Sequence, residues 1–254
     1  MRVVIITQDD PFYLPNAIPK LFEMIKGKHE IVGCFLLSAS PFGKKESLIL
    51  KSIKTFKIFG LHFFLRYLCL YVWRKIFSRQ TMQKLFKERD IPILKSEISI
   101  NASQSLDWIL AQKPDILVSI AGNEIFKNQL IKLAPKGCLN LHTAALPKYR
   151  GLMPSFWVLH NGESQTGISV FCVDEGIDSG PIVVQKFIEV GDTTLERLIQ
   201  KTKLAGMEAI AEALDVMMRA NPKLIENNNS KASYFSFPTA NDVRAFRRSG
   251  AQFF

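Results

Sequence analysis

The sequence predicts an α/β fold in which a mostly parallel central sheet carries helices on both faces. Short apolar runs alternate with segments of helical periodicity through the first half of the chain. Several of these runs contain almost no polar residue, as expected for strands that are covered on both faces. The 254 residues are enough for one large domain or two small ones with a sizeable core.

The elements of this alternating part follow in order. Four short apolar, mainly β-branched runs are predicted to be strands: 3–7, 31–37, 91–94 and 115–121. Three segments whose apolar residues recur every three or four positions are predicted to be helices: 15–26, 80–89 and 103–112. In a sheet of this kind, ligands bind beyond the carboxyl ends of the strands, so the site is expected there.

The second half predicts strands at 168–173 and 182–190 and a long helix over 194–219, with Asp192 or Thr193 as its N-cap. The remaining tail contains a polar linker, a strand-like aromatic run over 234–237, and a capping-box pattern that starts a short helix. We therefore expect a catalytic domain over 1–220 and a short C-terminal extension over 221–254. The aromatic residues of this extension should dock it on the domain.

The segment 47–77 departs from the alternation because it mixes large apolar residues with basic ones. Its charges interrupt every apolar run, so it lacks the roughly 18 uncharged residues of a spanning helix. Three interpretations remain open. The segment could be a basic amphipathic pair of helices lying on a membrane surface, a dimer or substrate-lid element, or a helical insertion packed on the domain. With the aromatic tail, it is a candidate interface for a homodimer.

The overall composition points to an anionic partner. Lysine and arginine give the chain a net charge of +10, which fits a nucleotide, tRNA or an anionic membrane, but equally a surface that only maintains solubility. The four cysteines form no Cys-x-x-Cys pair, and the first residues resemble a strand more than a signal peptide. We therefore expect reduced thiols in a cytoplasmic protein, either free or peripheral at a membrane.

Two stretches carry the chemistry. In Gly137-Cys138-Leu139-Asn140-Leu141-His142, Asn140 and His142 are two residues apart at the end of an apolar run, so both project from one face of a strand. Asp178 lies in a glycine-bracketed turn after another strand-like run. An amide that steadies an oxyanion, an imidazole that moves protons and a carboxylate that sets the charge of the imidazole can together carry out acyl transfer.

Residues 114–214 resemble the folate-dependent formyltransferases, a family that includes methionyl-tRNA formyltransferase, glycinamide ribonucleotide formyltransferase and the sugar N-formyltransferases. The matching motifs occur in one order with family-like spacing. They are Gly137–His142, Leu-Pro-Lys-Tyr-Arg-Gly at 146–151, Asn-Gly-Glu at 161–163, Thr-Gly-Ile-Ser-Val at 166–170 and the turn at 174–181. The features of the chain are closest to those of the sugar N-formyltransferases.

The resemblance implies a Rossmann-like fold, 10-formyltetrahydrofolate as co-substrate, and no metal. It implies that Asn140, His142 and Asp178 form the catalytic trio. It also implies that folate lies against two loops, held mainly by backbone groups: Gly122, Asn123, Glu124, Ile125 and Phe126, and Val173, Asp174 and Glu175.

The loop after the histidine is either a simple turn or the lining of the substrate site. Four of its residues are candidates for substrate binding: Leu146, Pro147, Tyr149 and Arg150. Arg150 could bind a phosphate through two parallel hydrogen bonds or form a surface ion pair.

Three departures from the family pattern reduce the number of substrates that the resemblance suggests. Many relatives have Pro-Ser-Leu-Leu-Pro after the histidine, but here the residues are Thr143-Ala144-Ala145-Leu146-Pro147, which removes a serine contact. The glycine-rich phosphate loop of the purine-pathway enzyme is replaced by Thr7-Gln8-Asp9-Asp10-Pro11, and the barrel domain that helps the tRNA enzymes hold tRNA is not found before Phe254.

We therefore predict an N-formyltransferase that acts on a primary amine, first of all that of a nucleotide-linked amino sugar. The alternatives are an enzyme like methionyl-tRNA formyltransferase without the usual C-terminal domain, and a non-catalytic folate-binding protein. Loss of one trio residue would have favoured the non-catalytic alternative, but all three are present.

Overall fold

The structure is a computed structural model that describes residues 1–39, 47–77 and 80–254. Its strands are β1 (Arg2–Gln8), β2 (Glu30–Leu37), β3 (Ile93–Ser96), β4 (Ile116–Ile120), β5 (Cys138–His142), β6 (Arg150–Gly151), β7 (Gln165–Cys172), β8 (Ile182–Glu189) and β9 (Tyr234–Phe235). Its helices are α1 (Leu14–Ile25), α2 (Leu48–Phe59), α3 (Leu61–Phe77), α4 (Met82–Lys87), α5 (Ser103–Ala111), α6 (Asn128–Ile131), α7 (Pro154–His160), α8 (Leu195–Met217) and α9 (Ala240–Arg248).

A central sheet organises the described part of the chain, with the strand order β3-β2-β1-β4-β5-β7-β8. The strands from β3 to β5 run parallel to one another, whereas β7 is antiparallel to β5 and β8 is antiparallel to β7. The mostly parallel sheet predicted from the alternating pattern is therefore confirmed. The parallel part brings the carboxyl ends of β1, β4 and β5 to one edge, where ligands bind in such sheets.

Helices cover both faces of this sheet because alternate side chains of β1 enter two separate cores. Val3 and Ile5 pack with residues of α1, α4 and α8 on one face. Val4 and Ile6 pack with residues of α5 and α6 on the other. Since successive residues of a strand point to opposite faces, an uninterrupted apolar strand is the expected sequence for this position.

The long helix α8 begins later than the sequence predicted. Its N-cap is Thr194, whose side-chain oxygen accepts a hydrogen bond from the Arg197 backbone N–H at 3.4 Å, so the prediction of Asp192 or Thr193 was wrong. Burial of Leu195, which is 3% exposed, sets the first turn of the helix. The helix then crosses β5 closely at Gly206, where an added Cβ would lie 2.6 Å from a methyl group of Leu141.

The residues after 220 lie against the rest of the chain. Strand β9 pairs in parallel with β6, and α9 begins with the predicted capping box between Thr239 and Asp242. Phe246 and Phe253 join a third apolar cluster that also contains Phe156 of α7. These contacts agree with a docked aromatic tail, while the division of the chain near residue 220 stays a prediction.

The segment 47–77 forms two helices, α2 and α3, which meet at Gly60 in a left-handed conformation (φ 82°) that a glycine adopts without strain. Phe59 and Phe63 are buried in the third cluster, against Phe253. The two helices therefore pack on the rest of the chain through one face, and their description as an insertion stays a prediction. No helix within residues 1–39, 47–77 and 80–254 combines the length and the apolar character needed to cross a membrane.

Candidate active site

Asn140 and His142 lie at the carboxyl end of β5. This strand pairs in parallel with β4 and antiparallel with β7, which places His142 opposite Ser169. Leu141 points to the core that contains α8, so Asn140 and His142 alternate to the other face of the sheet. The two side chains therefore lie on the same face of the sheet, as their spacing predicts.

Both nitrogen atoms of His142 face a protein oxygen. Nε2 lies 2.7 Å from the Tyr149 carbonyl oxygen, and since a carbonyl can only accept, Nε2 carries a hydrogen and donates it. Nδ1 lies 3.6 Å from Oδ2 of Asp178, close enough for an ion pair but too far for a direct hydrogen bond. Nδ1 is therefore the ring nitrogen that faces Asp178.

The backbone around Asp178 holds its carboxylate toward the histidine. The residue has a left-handed conformation (φ 49°), which aspartate tolerates better than most residues. Its Oδ2 accepts a hydrogen bond from the Gly151 N–H at 2.8 Å. The imidazole and carboxylate side chains are only 7% and 13% exposed, respectively, so their attraction is weakly screened by water.

A residue of the C-terminal extension supports this turn. The buried Asn227 donates hydrogen bonds from its Nδ2 to the carbonyl oxygens of Asp178 and Gly180, both at 2.9 Å. Its Oδ1 accepts a hydrogen bond from Nη2 of Arg150 at 2.8 Å, and Nη1 of Arg150 donates to Oδ1 of Asn229 at 2.8 Å. Arg150, Asn227 and the Asp178 turn thus form one connected network, which the sequence did not indicate.

We expect Asn227→Ala to lower kcat about 10- to 100-fold, because small displacements of a catalytic group are costly. The variant removes both side-chain donors to the Asp178 turn and one of the two asparagine side chains that accept hydrogen bonds from the Arg150 guanidinium. Steady-state formylation assays would measure kcat. A second variant, Asn227→Asp, keeps the acceptor for Arg150 but loses the donors to the Asp178 turn.

Asn228→Ala is the matched control for Asn227→Ala. Among the described residues, the Asn228 side chain accepts its hydrogen bonds within its own turn, from the N–H and hydroxyl of Ser230. The control should retain its turnover. Unchanged kcat in Asn227→Ala would show that the turn keeps its position without this residue.

The first predicted folate loop is fixed largely by its side chains. Nδ2 of Asn123 donates to the Ser38 carbonyl oxygen at 2.8 Å, and Oε2 of Glu124 accepts from the Ser99 hydroxyl at 2.6 Å. Phe126 is buried in the second core, whereas Ile125 is 74% exposed. This loop would therefore meet a ligand through backbone groups of Gly122–Phe126 and through Ile125.

The second predicted folate loop runs from Val173 to the Asp178 turn. The Val173 N–H donates to the Cys138 carbonyl oxygen at 2.7 Å, which ties this loop to the start of β5. Oδ1 of Asp174 accepts from the Gly176 N–H at 3.1 Å and from the Ser179 hydroxyl at 2.6 Å, so its side chain shapes the turn. Glu175 is exposed. The role of both loops in binding folate stays a prediction.

The residues predicted to line the substrate site mostly turn into the protein. Leu146 is 3% exposed, and Pro147 is partly buried. The Tyr149 hydroxyl donates to Oε1 of Glu163 at 2.5 Å, and burial together with this carboxylate raises the pKa of Tyr149 to about 12. Arg150 binds the asparagine network rather than a surface acid. In this structure the loop supports His142, and contact with a substrate stays a prediction.

Ser169 and Gln185 fix the same loop from the antiparallel side of the sheet. The Ser169 hydroxyl donates to the Ala144 carbonyl oxygen at 2.7 Å and accepts from the Leu146 N–H at 3.2 Å. Nε2 of Gln185 donates to the Leu146 carbonyl oxygen at 2.8 Å. These contacts hold the path of the loop although the family serine is replaced. Sequence reasoning included Ser169 in a family-like motif but gave it no role, and it missed Gln185, whose signal is only its position on β8.

The described ranges contain no cluster of metal ligands. In residues 1–39, 47–77 and 80–254, no three His, Cys, Asp or Glu side chains lie close enough together to hold an ion. The expectation that the reaction requires no metal stays a prediction.

Comparison with known proteins identifies the family. The formyl transferase family model matches residues 75–214, which is more than half of the chain. The methionyl-tRNA formyltransferase of Kosmotoga olearia is 30% identical over 228 residues, an alignment that covers 89% of this chain and 64% of that protein. The chain thus spans less than two thirds of the length of this relative.

Solved structures show the same fold. The N-formyltransferase of Helicobacter canadensis, solved with folinic acid and dTDP-3-aminofucose, has a TM-score of 0.58 at 17% identity and covers 96% of this chain and 80% of its own. Phosphoribosylglycinamide formyltransferase of Bacillus halodurans has a TM-score of 0.58 at 16% identity and covers 87% and 96%.

These matches and the site define the class of protein: a Rossmann-like transferase fold with an amide, an imidazole and a carboxylate at the carboxyl edge of its sheet. The chain belongs to the formyl transferase family. The resemblance read from the motifs is confirmed.

Proposed function

We propose that this protein transfers a formyl group from 10-formyltetrahydrofolate to a primary amine. The observation that carries the proposal is the approach of His142 and Asp178, residues from two separate strand ends, to 3.6 Å on the side of the sheet that also presents Asn140. A mostly buried imidazole and carboxylate, on the face of the sheet that also carries a carboxamide, provide the groups that acyl transfer needs. Membership of the family supports the same reaction.

We assign a role in this reaction to each of the three side chains. The amine nitrogen attacks the formyl carbon, a new C–N bond forms, and the bond from that carbon to N10 of the folate breaks. Negative charge grows on the formyl oxygen, toward which the Asn140 carboxamide and a protonated Nδ1 of His142 can donate. Asp178 accepts the proton of the amine through water, and the departing N10 finally takes up a proton.

The two loops around β5 suit the folate. Because the side chains of Asn123, Glu124 and Asp174 are engaged within the protein, the loops offer main-chain groups and apolar surface, including Ile125 and Val173. A flat heteroaromatic ring with donors and acceptors on its edge matches such a lining. The folate-bound neighbour from Helicobacter canadensis supports this choice of co-substrate.

We further propose a nucleotide-linked amino sugar as the amine substrate. The start of α1 argues against a phosphate bound as in the purine-pathway enzymes, because the Asp10 carboxylate already accepts the N–H groups of Phe12, Tyr13 and Leu14 at 2.8–2.9 Å. An anion at this position would meet a carboxylate rather than open N–H groups. The net charge of +10 and the dTDP-sugar complex of the neighbour support an anionic, sugar-bearing substrate.

Methionyl-tRNA is the second candidate. Curated relatives with 25–39% identity are methionyl-tRNA formyltransferases, and a basic surface also suits tRNA.

An activity assay separates the two candidates. It would use 10-formyltetrahydrofolate as donor and either dTDP-3-aminofucose or Met-tRNA as acceptor. The reaction would be monitored by the release of tetrahydrofolate and by the mass of the product. We expect kcat/KM for the amino sugar to exceed that for Met-tRNA by about 100-fold or more. The reverse preference would establish the tRNA substrate. If the protein binds folate but formylates neither amine, it is a non-catalytic folate-binding protein and the proposal fails.

A further inference from the structure

The α2–α3 pair carries its apolar residues on the outside. Eight large side chains at helical spacing are 44–73% exposed: Ile49, Ile53, Phe56, Leu61, Leu65, Leu68, Val72 and Ile76. Those on α3 follow one another every three or four residues, so they form a continuous stripe. We refer to these eight residues as the outer face. An amphipathic helix of a globular protein normally turns such a stripe to the core.

The opposite side of the pair is firmly attached to the body, so the outer face cannot be turned inward by a simple rotation of the helices. The Tyr67 hydroxyl lies 2.7 Å from that of Tyr13, and Nη1 of Arg74 donates to the Pro11 carbonyl oxygen at 2.7 Å. Phe59 and Phe63 are 3% and 8% exposed, against the aromatic tail. The exposure of the outer face is thus built into the packing.

The charge of the segment identifies the kind of partner. Residues 47–77 contain no aspartate or glutamate, and their basic residues are Lys51, Lys54, Lys57, Arg66, Arg74 and Lys75. Lys57 and Lys75 are exposed beside the outer face, next in sequence to Phe56 and Ile76. Arg66 pairs with Glu196 of α8, and Arg74 is turned to the body. The segment therefore presents apolar side chains next to the exposed positive charges of Lys57 and Lys75 and contains no acid of its own.

We propose that the outer face docks on the surface of an anionic lipid bilayer. Such a surface accepts apolar side chains among its acyl chains and attracts basic residues to its headgroups. Trp73 and Phe77, 57% and 63% exposed near the end of α3, suit the boundary between the two. A second copy of the chain fits less well, because face-to-face contact would bring two basic segments together.

Docking would place the membrane beside the candidate site, whatever amine the protein uses. Pro11 and Tyr13, which hold α3, follow the carboxyl end of β1. Strands β1, β4 and β5 are parallel, so this is the edge at which Asn140 and His142 lie. The inference concerns location and goes beyond the proposed formyl transfer, which does not depend on it.

Flotation with vesicles tests the proposal. The full chain would be mixed with vesicles of phosphatidylcholine alone or with phosphatidylglycerol, and the bound fraction measured over a range of lipid concentrations. We expect binding to the mixed vesicles and little to the neutral ones. Leu65→Ser/Leu68→Ser/Val72→Ser should weaken binding about tenfold or more, and Lys57→Ala/Lys75→Ala roughly 30-fold, taking the usual contribution of a basic residue near an anionic surface.

The matched control is Phe187→Ser/Leu204→Ser/Met218→Ser, which removes equally exposed apolar residues from β8, from α8 and from the end of α8. It should bind like the unaltered protein, and circular dichroism would show that each variant is folded. Absence of the unaltered protein from the floating fraction overturns the proposal. A second outcome also overturns it: the unaltered protein is a dimer in size-exclusion chromatography, and the outer-face variant is a monomer with unchanged lipid binding. The partner of the outer face is then a second copy of the chain.

Discussion

Asparagine in place of Asp178 is expected to reduce the rate of formyl transfer by about 1,000-fold or more, because the variant removes the negative charge that faces the imidazole of His142. The amide is nearly isosteric, and its oxygen can still accept the Gly151 N–H that binds Oδ2. The fold should therefore remain intact while Nδ1 of His142 loses its negative partner at 3.6 Å. Measurement of kcat and KM for both substrates, together with thermal unfolding, would separate chemistry from stability.

His142→Ala should show a loss of similar size, and the double variant should lose little more than either single variant, since the pair acts as a unit. The matched control is Asp192→Asn, a change at an exposed aspartate outside the site, which should leave kcat and KM unchanged. Near-normal turnover in a folded Asp178→Asn or His142→Ala protein would falsify the assignment of the trio.

The second large effect is expected on stability. Gly180 lies so close to β7 that an added Cβ would stand 1.8 Å from the Cys172 carbonyl oxygen. This neighbour is backbone and is held in the sheet, because the Cys172 N–H donates to the Pro181 carbonyl oxygen at 2.9 Å. Gly180→Ala should thus lower the free energy of unfolding by about 3 kcal/mol or more, as severe overpacking does.

Urea denaturation would measure that free energy, and Gly191→Ala is the matched control. Gly191 has a left-handed conformation (φ 65°), but nothing lies within 4 Å of an added Cβ. Its substitution should cost only about 1–2 kcal/mol of conformational strain. Equal midpoints for the two variants would contradict the steric argument. Since Asn227 binds the Gly180 carbonyl oxygen, any folded Gly180→Ala protein should also show reduced turnover.

The central sheet and part of the site could be predicted from the sequence because they depend on patterns among neighbouring residues. Continuous apolar runs indicate strands buried on both faces, and the spacing of Asn140 and His142 fixes a shared face by the geometry of a strand. Asp178 was joined to His142 by the chemistry of its side chain and by the resemblance to a family motif, because no local pattern gives the distance between residues so far apart in the sequence. The structure then gives the separation of the two side chains.

Other features depended on contacts between distant residues, which no local pattern records. Arg150 was expected at a phosphate or in a surface ion pair, but its guanidinium lies with Asn227 and Asn229, which the sequence presents only as a polar linker. The helices of 47–77 were predictable from their composition. Which of their faces is buried was not, because the outcome depends on Phe59 and Phe63 finding Phe253 almost two hundred residues later.

The acceptor for Nε2 of His142 is the peptide carbonyl of Tyr149, and that choice affects how the site could evolve or be redesigned. A side-chain acceptor could be lost by one substitution, whereas a main-chain oxygen is present with every amino acid. Residue 149 has a φ of 60°, so glycine or asparagine would keep the local path most easily. The ring can therefore keep its tautomer while the side chain at this position changes, at some expense in packing.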